Sequence, residues 1–369
     1  AASDWSGSSV SMNSAGDRVA IGAENNDGTA GNAGHVRVYE YSNSSWTQLG
    51  SDIDGEAQGD WSGNSVSMNS AGDRVAIGAL FNGGTGTDAG HVRIYEYSNS
   101  SWTQLGSDID GEAANDRSSY SVSMNSAGDR VAIGARRNDG TASDAGHVRI
   151  YEYSNSSWTQ LGSDIDGEAA SDFSGTSVSM NSAGDRVAIG ATDNDGTASD
   201  AGHVRIYEYS NSSWTQLGSD IDGEAANDFS GSPVSMNSAG DRVAIGAPLN
   251  DGTANTAGHV RVYSLAELFI DSQQLLPDKF TLNQNYPNPF NPITTLRYEL
   301  PENGLVNITI YDMVGRQVKT LVNQRQDAGY RSVVWDATND NGKPVSAGIY
   351  LYQIQAGGNM QTKKMVLLK

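Results

Sequence analysis

Apolar and polar residues alternate over short stretches throughout the chain. In residues 18–23, Val19 and Ile21 fall on one face of an extended strand, and Ala20 and Gly22 fall on the other. Clusters of Asn, Ser, Asp and Gly, which favour turns, separate these stretches. No segment keeps the 3.6-residue periodicity of an amphipathic helix. The pattern therefore predicts an all-β chain built from short strands.

One of these stretches returns at a fixed interval. The heptapeptide Asp-Arg-Val-Ala-Ile-Gly-Ala begins at Asp17 and recurs four times, each time 56 residues later. A second motif begins at His35 and recurs with the same interval. Repetition at this period is typical of solenoids and propellers, in which each copy is one structural unit. We number the copies unit 1 (residues 1–56), unit 2 (57–112), unit 3 (113–168), unit 4 (169–224) and unit 5 (225–268).

Each unit is predicted to hold four short strands. In unit 1 these are Ser9–Met12, Arg18–Ala23, His35–Tyr41 and a strand from Trp46 to about Ile53. Small residues on one face of the second strand let a neighbouring sheet approach closely. Small stacked sheets of this kind predict a β-propeller with about five four-stranded blades, and a β-solenoid is the alternative fold.

Closure of the propeller ring is left open by the sequence. The fourth strand carries a tryptophan in four units, at Trp46, Trp102, Trp158 and Trp214, whereas unit 5 continues into residues 264–270. Either that segment supplies the missing outer strand and closes five blades, or the ring is larger.

The repeat motif resembles the FG-GAP repeat of integrin-like β-propellers. Phe229–Gly231 (Phe-Ser-Gly) stands for the aromatic–Gly element, and Ile245–Pro248 (Ile-Gly-Ala-Pro) stands for the Gly–Ala–Pro element. Arg117 replaces the aromatic residue in unit 3, and only unit 5 keeps the proline. The resemblance implies an integrin-type propeller. It does not extend to the calcium loop that this family often has between the first two strands, where residues 13–17 read Asn-Ser-Ala-Gly-Asp.

The character of the sequence changes after the last repeat. Short alternating stretches separated by tight-turn signals, such as Asp-Asn-Gly at 340–342, predict a small Ig-like sandwich. We therefore assign residues 1–268 to the propeller, 269–284 to a linker and 285–369 to the Ig-like domain. The strands predicted in the last domain are Thr295–Leu300, Val306–Asp312, Gln317–Val322, Arg331–Trp335, Ile349–Gln355 and Gln361–Leu368.

The C-terminal domain carries several short motifs in a fixed order. They are Tyr-Pro-Asn-Pro-Phe-Asn-Pro at 286–292, Ile310–Asp312, Gly315-Arg316, Ala347–Tyr350 and Lys363–Met365. With these motifs the domain resembles the type A sorting domain of the type IX secretion system of Bacteroidetes. The resemblance implies that the secretion machinery recognises residues 285–369. It also implies that the protein is secreted or lies on the outer-membrane surface of a Bacteroidetes-like bacterium.

Charge is distributed unequally along the chain. Residues 1–269 hold 13 Arg, no Lys and 36 acidic residues, a net charge of −23, whereas residues 270–369 have a net charge of +2. An acidic surface repels phosphates, which argues against nucleic acid as a partner.

The chain has no cysteine, which excludes disulfides and thiolate chemistry. No apolar run approaches the roughly 20 residues of a membrane span.

Catalytic residues are not indicated by the sequence. All five histidines occupy one repeat position, at the start of the third strand: His35, His91, His147, His203 and His259. A catalytic base is needed once and not five times in identical settings, and Ser–His and Cys–His sites lack their other parts. We therefore predict that the array is not an enzyme and that these histidines are structural.

A cluster of carboxylates ends the fourth strand of units 1 to 4. Acidic side chains stand at relative positions 1, 3, 5 and 9, and Ca²⁺ prefers oxygen ligands spaced along a loop in this way. We predict Ca²⁺ as a possible cofactor at these acids, and solvated side chains are the alternative. The residues are Asp52, Asp54, Glu56, Asp60, Asp108, Asp110, Glu112, Asp116, Asp164, Asp166, Glu168, Asp172, Asp220, Asp222, Glu224 and Asp228.

The units differ most in the loop after the second strand and at the aromatic position before the first strand. In a propeller these positions gather on one rim, where ligands usually bind, and relaxed drift of exposed loops is the alternative. The predicted rim residues are Glu24, Asn25, Leu80, Phe81, Arg136, Arg137, Thr192, Asp193, Pro248 and Leu249. The aromatic position holds Trp5, Trp61, Arg117, Phe173 and Phe229.

Three functions are compatible with these features. The first is a secreted or surface-tethered propeller that binds a glycan or a protein, as in adhesion. The second is a structural subunit of a surface layer or filament. In the third, the chain is the C-terminal part of a larger secreted enzyme.

Overall fold

The computed structural model describes residues 3–252, 254–265, 277 and 279–368. The chain divides into two compact bodies, Ala1–Phe269 and Ile270–Lys369. We call the first body the array and the second the Ig-like domain. None of the helices in the described part of the chain is long and apolar enough to cross a membrane.

The array consists of five antiparallel sheets, one in each unit. Unit 1 contains β1 (Ser9–Met12), β2 (Arg18–Ala23), β3 (His35–Ser42), β4 (Ser45–Gln48) and β5 (Ile53–Asp54). Unit 2 contains β6 (Ser62–Met68), β7 (Arg74–Ala79), β8 (His91–Ser98), β9 (Ser101–Gln104) and β10 (Ile109–Asp110). Unit 3 contains β11 (Ser118–Met124), β12 (Arg130–Ala135), β13 (His147–Ser154), β14 (Ser157–Gln160) and β15 (Ile165–Asp166). Unit 4 contains β16 (Ser174–Met180), β17 (Arg186–Ala191), β18 (His203–Ser210), β19 (Ser213–Gln216) and β20 (Ile221–Asp222). Unit 5 contains β21 (Val234–Met236), β22 (Arg242–Ala247) and β23 (His259–Ser264).

The predicted fourth strand of each blade is interrupted by a bulge. In unit 1, β4 pairs Gln48 with Tyr39, whereas β5 pairs Ile53 with Val36 of the same partner strand, so two extra residues lie between the paired positions. Gly50, in the bulge, has a φ of 77°, which favours glycine. Each blade of units 1 to 4 therefore has the predicted four-stranded order, with an outer edge made of two short pieces.

Consecutive sheets pack closely because a glycine in the second strand admits the next unit. A Cβ atom on Gly134 of unit 3 would lie 2.2 Å from the carbonyl oxygen of Gly175 in unit 4. Branched side chains fill the rest of this interface, and Val148 and Ile150 are buried against Val187 of unit 4. Burial of each such side chain contributes about 1.5–3 kcal/mol. The prediction that small residues permit close approach is confirmed.

Polar contacts between neighbouring units repeat along the array. Near the end of the first strand, the backbone N–H of Ser70 donates to the carbonyl of Ser126 in the next unit, at 3.2 Å. At the outer edge, the indole Nε1 of Trp158 donates to the carbonyl of Leu105 in the preceding unit, at 2.7 Å. The repeated tryptophan of the outer strand therefore joins two units.

The five units do not close into a ring. Val10 and Met12 of unit 1 are 64% and 55% exposed, although their equivalents in units 2 to 4 are buried or half-buried. At the other end, Val260 and Val262 of unit 5 are 68% and 66% exposed, although the equivalent residues of units 1 to 4 are buried. Both end faces are thus open. Residues 266–270, considered as a closing strand, lie outside the described residues.

The Ig-like domain contains all six predicted strands and one more. Its two sheets have the orders β24-β25-β28 and β27-β26-β29-β30. Because β24 pairs with β25, residues 281–282, which the sequence placed in the linker, belong to this domain. The strands are β24 (Thr281–Leu282), β25 (Thr294–Leu300), β26 (Gly304–Asp312), β27 (Gln317–Gln326), β28 (Gly329–Trp335), β29 (Gly348–Ala356) and β30 (Asn359–Leu367).

Large aromatic side chains fill the core of the Ig-like domain. Trp335 is fully buried, with its ring centroid 5.6 Å from that of Phe290 and 5.2 Å from that of Tyr350. The proline-rich entry segment is held to the last strand, because the N–H of Phe290 donates to the carbonyl of Val366 at 3.0 Å. The entry motif is therefore part of the packed domain.

Candidate functional site

In units 1 to 3, a backbone hydrogen bond places the two variable positions side by side. In unit 3, the N–H of Arg137 donates to the carbonyl of Asp116, which directly precedes the aromatic position. The equivalent hydrogen bond joins Phe81 to Asp60 in unit 2. All five residues at the aromatic position have a φ between 52° and 57°, an uncommon conformation for bulky residues. The fold therefore gathers the side chains in which the units differ.

Aromatic rings and guanidinium groups from units 2, 3 and 4 meet at these positions. The rings of Trp61 and Phe81 form an edge-to-face pair with centroids 4.7 Å apart. The Arg117 guanidinium lies 5.0 Å from the centroid of Phe81. Arg136 lies 3.9 Å from the centroid of Tyr120 and 5.7 Å from that of Phe173 in unit 4. We call Arg117, Arg136 and Arg137 the arginine cluster, and Trp61, Phe81, Tyr120 and Phe173 the aromatic wall.

In the part of the chain that the structure describes, no carboxylate lies within 4 Å of the arginine cluster, and Asp88 and Asp144 act on Arg117 only from farther away. Within the described residues, the Nε groups of Arg117, Arg136 and Arg137 are buried without a hydrogen-bond acceptor. Burial, followed by repulsion from Arg137 and Arg136, lowers the pKa of Arg117. Every other arginine of residues 1–269 lies within 4 Å of a carboxylate. The pairs are Arg18 with Glu40, Arg37 with Asp52, Arg74 with Glu96, Arg93 with Glu56, Arg130 with Glu152, Arg149 with Glu112, Arg186 with Glu208, Arg205 with Glu168, Arg242 with Asp241 and Arg261 with Glu224.

This arrangement suits an anionic ligand with apolar faces. Guanidinium groups bind carboxylates and sulfates through paired N–H donors. Aromatic rings offer flat apolar surfaces beside them. Because the rest of the array carries excess negative charge, three guanidinium groups without a carboxylate partner form a local exception. The sequence singled out Arg136, Arg137 and Phe81 as rim residues but did not single out Tyr120. The sequence does contain a signal for Tyr120, because the other units have smaller polar residues at this position. These residues are Ser8, Asn64, Thr176 and Ser232.

The remaining predicted rim residues have varied surroundings. Burial raises the pKa of Glu24 in unit 1. In unit 4, the hydroxyl of Thr192 donates to the carboxylate of Asp193 at 2.5 Å. Leu80 is buried, whereas Pro248 and Leu249 are exposed. The rim is therefore polar in units 1 and 4, cationic in unit 3 and apolar in units 2 and 5.

The four acids of each predicted calcium cluster are divided among different places. Asp60 is 3% exposed, and its carboxylate accepts hydrogen bonds from the N–H of Ala57 and the amide of Asn82. Asp52 and Asp54 lie near His35 of their own unit, whereas Glu56 lies near His91 of the next unit. The same division recurs in units 2 and 3. Among the described residues, the acids of one cluster therefore do not surround a common point.

The histidines lie at the junctions between units, and units 2 to 4 bury them almost completely. His91, His147 and His203 are 1% exposed. Their ring nitrogens face carboxylates from two consecutive units. The sequence placed these histidines correctly at the start of the third strand but did not associate them with the acids, because the partners are far apart in the chain.

Comparison with known proteins identifies the C-terminal domain. Residues 293–359 match the FlgD Ig-like domain family. No curated protein sequence matches the chain.

Three solved structures resemble the chain at low sequence identity. A Bacteroides uniformis protein assigned as a 6-phosphogluconolactonase is 10% identical, with a TM-score of 0.49, over 89% of this chain and 88% of that chain. The β-propeller domain of the Trilobed protease from Pyrococcus furiosus is 9% identical, with a TM-score of 0.41, over 97% of this chain and 96% of that one. FlgD from P. aeruginosa is 19% identical, with a TM-score of 0.18, over 25% of this chain and 74% of that one. The sheets described above and the match at 293–359 make the chain an all-β protein, with propeller-type blades followed by an Ig-like domain.

Proposed function

We propose that the array is an extracellular, non-enzymatic binding module for an acidic glycan, acting in adhesion. The observation that carries this proposal is the arginine cluster, whose buried Nε groups have no hydrogen-bond acceptor among the described residues, in an array with a net charge of −23. Leaving buried donors unsatisfied costs about 1–3 kcal/mol for each group. A carboxylate or sulfate group placed there recovers that cost.

The surroundings of the cluster favour a sugar over other anions. The faces of pyranose rings pack on aromatic side chains, and the aromatic wall lies next to the guanidinium groups. A nucleic acid carries a closely spaced row of phosphates, which the acidic surface outside the cluster repels. An oligosaccharide with one acidic group on a mostly neutral chain avoids this repulsion.

The first prediction concerns binding of acidic oligosaccharides. We expect the full chain to bind one class of them when it is tested against a panel of immobilised uronate, sulfated and sialylated glycans. The double substitution R136Q/R137Q is expected to weaken binding by about 10–100-fold, since hydrogen bonds to charged groups contribute roughly 1.5–3 kcal/mol. Isothermal titration calorimetry measures the change.

Two matched controls accompany that titration. The variant R242Q, at a half-exposed arginine of unit 5 that pairs with Asp241, should bind like the unchanged protein. The methyl ester of a uronate ligand has lost its charge and should bind weakly. Equal affinity for the acid and its ester would contradict the proposal. So would a loss of affinity in R242Q equal to that in R136Q/R137Q, or the failure of every acidic glycan to bind.

We further propose that the Ig-like domain directs export through the type IX secretion machinery. This proposal rests on the ordered motifs of residues 286–365 and on their resemblance to type A sorting domains.

In a bacterium that has this system, the full chain is expected in the medium or on the cell surface. A variant without residues 285–369 should accumulate in the periplasm, as immunoblots of cell fractions would show. A variant without unit 1 serves as the control and should still be exported. Equal export of all three proteins would contradict a sorting role.

A further inference from the structure

The junctions of unit 1 with unit 2, of unit 2 with unit 3 and of unit 3 with unit 4 each bring one histidine and two carboxylates together. In unit 3, Nδ1 of His147 lies 3.8 Å from Oε2 of Glu112 in unit 2 and 4.0 Å from Oδ2 of Asp164. In unit 4, Nδ1 of His203 lies 3.9 Å from the equivalent glutamate and aspartate oxygens. Around His91 in unit 2, donor atoms of Glu56, His91 and Asp108 lie within 4.8 Å of one another. Nδ1 of His91 lies 3.9 Å from Oδ2 of Asp108 and 4.0 Å from Oδ1 of Asp110.

In each carboxylate around His147, the oxygen that points away from the imidazole, which we call the outer oxygen, contacts another side chain. The amide of Gln160 donates to Oδ1 of Asp164 at 2.5 Å. The guanidinium of Arg149 lies 3.3 Å from Oε1 of Glu112. The inner oxygens, Oδ2 and Oε2, are left facing the imidazole. Orienting contacts of this kind, made to the far side of each ligand, are typical of protein metal sites.

The imidazole of His147 has no partner of its own at this point. Its Nδ1 is buried and has no hydrogen bond among the described residues, because 3.8–4.0 Å is too long for one. A neutral imidazole in this place can offer the lone pair of that nitrogen to a metal ion.

We propose that these junctions bind a divalent transition-metal ion, with Zn²⁺ as the test ion, through Nδ1 of the histidine, the glutamate of the preceding unit and the aspartate of the same unit. Imidazole nitrogen and carboxylate oxygen are both ligands that zinc takes in proteins, and a water molecule can complete a four-coordinate site. A tetrahedral ion with bonds of about 2.0–2.1 Å places its ligand atoms roughly 3.4 Å apart. The donor atoms therefore need to move closer together, which the carboxylates around His147 and His203 can do because they are 32–44% exposed. Ca²⁺ is disfavoured, because it prefers an all-oxygen site with more ligands.

The repeat predicts how many ions bind. Three junctions are complete, those around His91, His147 and His203. At His35 the acidic partners are Asp52 and Asp54, with no glutamate from an earlier unit, and the guanidinium of Arg37 holds both oxygens of Asp52. At His259 the described residues place one carboxylate beside the ring, that of Glu224 at 3.8 Å. We therefore expect three zinc ions for each chain.

Metal counting on the untagged full chain tests the proposal. After removal of metals with a chelator, native mass spectrometry and calorimetric titration with ZnCl₂ are expected to give three ions. H147Q, E112Q and D164N should each reduce the number to two, and the two acidic positions are partly exposed, so those variants are expected to fold. H259Q is the matched control and should still bind three zinc ions.

A spectroscopic measurement distinguishes this site from nonspecific binding. Co²⁺ in place of Zn²⁺ is expected to show the intense visible absorption of a four-coordinate site, and E112Q should reduce it by about one third. A count that E112Q and D164N leave unchanged would overturn the proposal. So would saturable binding of Ca²⁺ at these residues without binding of Zn²⁺, or no saturable zinc binding.

Discussion

Replacement of Gly134 by alanine is expected to destabilise the array by about 3 kcal/mol. The new Cβ would lie 2.2 Å from the carbonyl oxygen of Gly175 and 2.6 Å from Oγ of Ser121. The first contact is with backbone of the next unit, so neither side can rotate away. The hydroxyl of Ser121, which donates to the same carbonyl at 2.8 Å, would also be displaced. Units 3 and 4 would have to separate, and the apolar interface between them would loosen.

Thermal unfolding of the full chain measures this effect, and a decrease of roughly 6–12 °C in the midpoint for the array corresponds to about 3 kcal/mol. Two glycines provide graded controls. Gly83 has one neighbour within 4 Å, at 3.8 Å, so G83A should change stability little. Gly246 occupies the repeat position of Gly134 but has no following unit, and its nearest neighbour is Pro233 of its own unit at 2.9 Å. The loss of stability in G246A should therefore be larger than that in G83A and smaller than that in G134A. If G134A were as stable as G83A, the close packing of the blades would be refuted.

The blades could be predicted because the repeat supplies the same information five times. Alternation at Arg18–Ala23 gives the strand, and the glycine in it gives the face on which the next sheet packs. The bulge at Gly50 could not be predicted, because its two extra residues look like a continuation of the strand that begins at Ser45. Ring closure could not be predicted either. It depends on the rotation between neighbouring sheets, which no local pattern encodes.

The sequence predicted that the variable loops share one rim, but it did not predict which side chains contact one another there. Differences between near-identical units identified the loops that contain Phe81, Arg136 and Arg137. The interaction of Arg136 with Phe173 of the next unit required the structure, since it depends on how unit 3 faces unit 4.

The junction sites show a different limit of sequence reasoning. Spacing along the chain grouped Asp52 with Glu56, but the fold places Glu56 beside His91 of the next unit. Ligands contributed by two units have no characteristic spacing in the sequence. The periodic cluster of acids therefore led to a predicted cation site whose four residues the fold separates.

In the Ig-like domain, replacement of Trp335 by alanine is expected to cost about 3–5 kcal/mol, the usual range for removal of a buried aromatic residue. The side chain is fully buried, contacts the rings of Phe290 and Tyr350, and donates its indole N–H to the carbonyl of Thr338 at 2.9 Å. Such a loss is a large part of the 5–15 kcal/mol that stabilises a typical domain. The Ig-like domain of W335A should therefore unfold at least 12 °C lower, since roughly 4–8 °C corresponds to each kcal/mol in a domain of this size.

Differential scanning calorimetry of the full chain can separate this change from effects on the array. The chain forms two compact bodies, so two transitions are expected, and W335A should lower only the one that belongs to the Ig-like domain. Y330A, in the same strand, removes a side chain that is 64% exposed and should shift that transition by no more than about 0.5 kcal/mol. If the array transition moved with W335A by the same amount, the two bodies would unfold as one. Export and binding would then not be separable functions of separate domains, because damage to the core around Trp335 would also disable the arginine cluster.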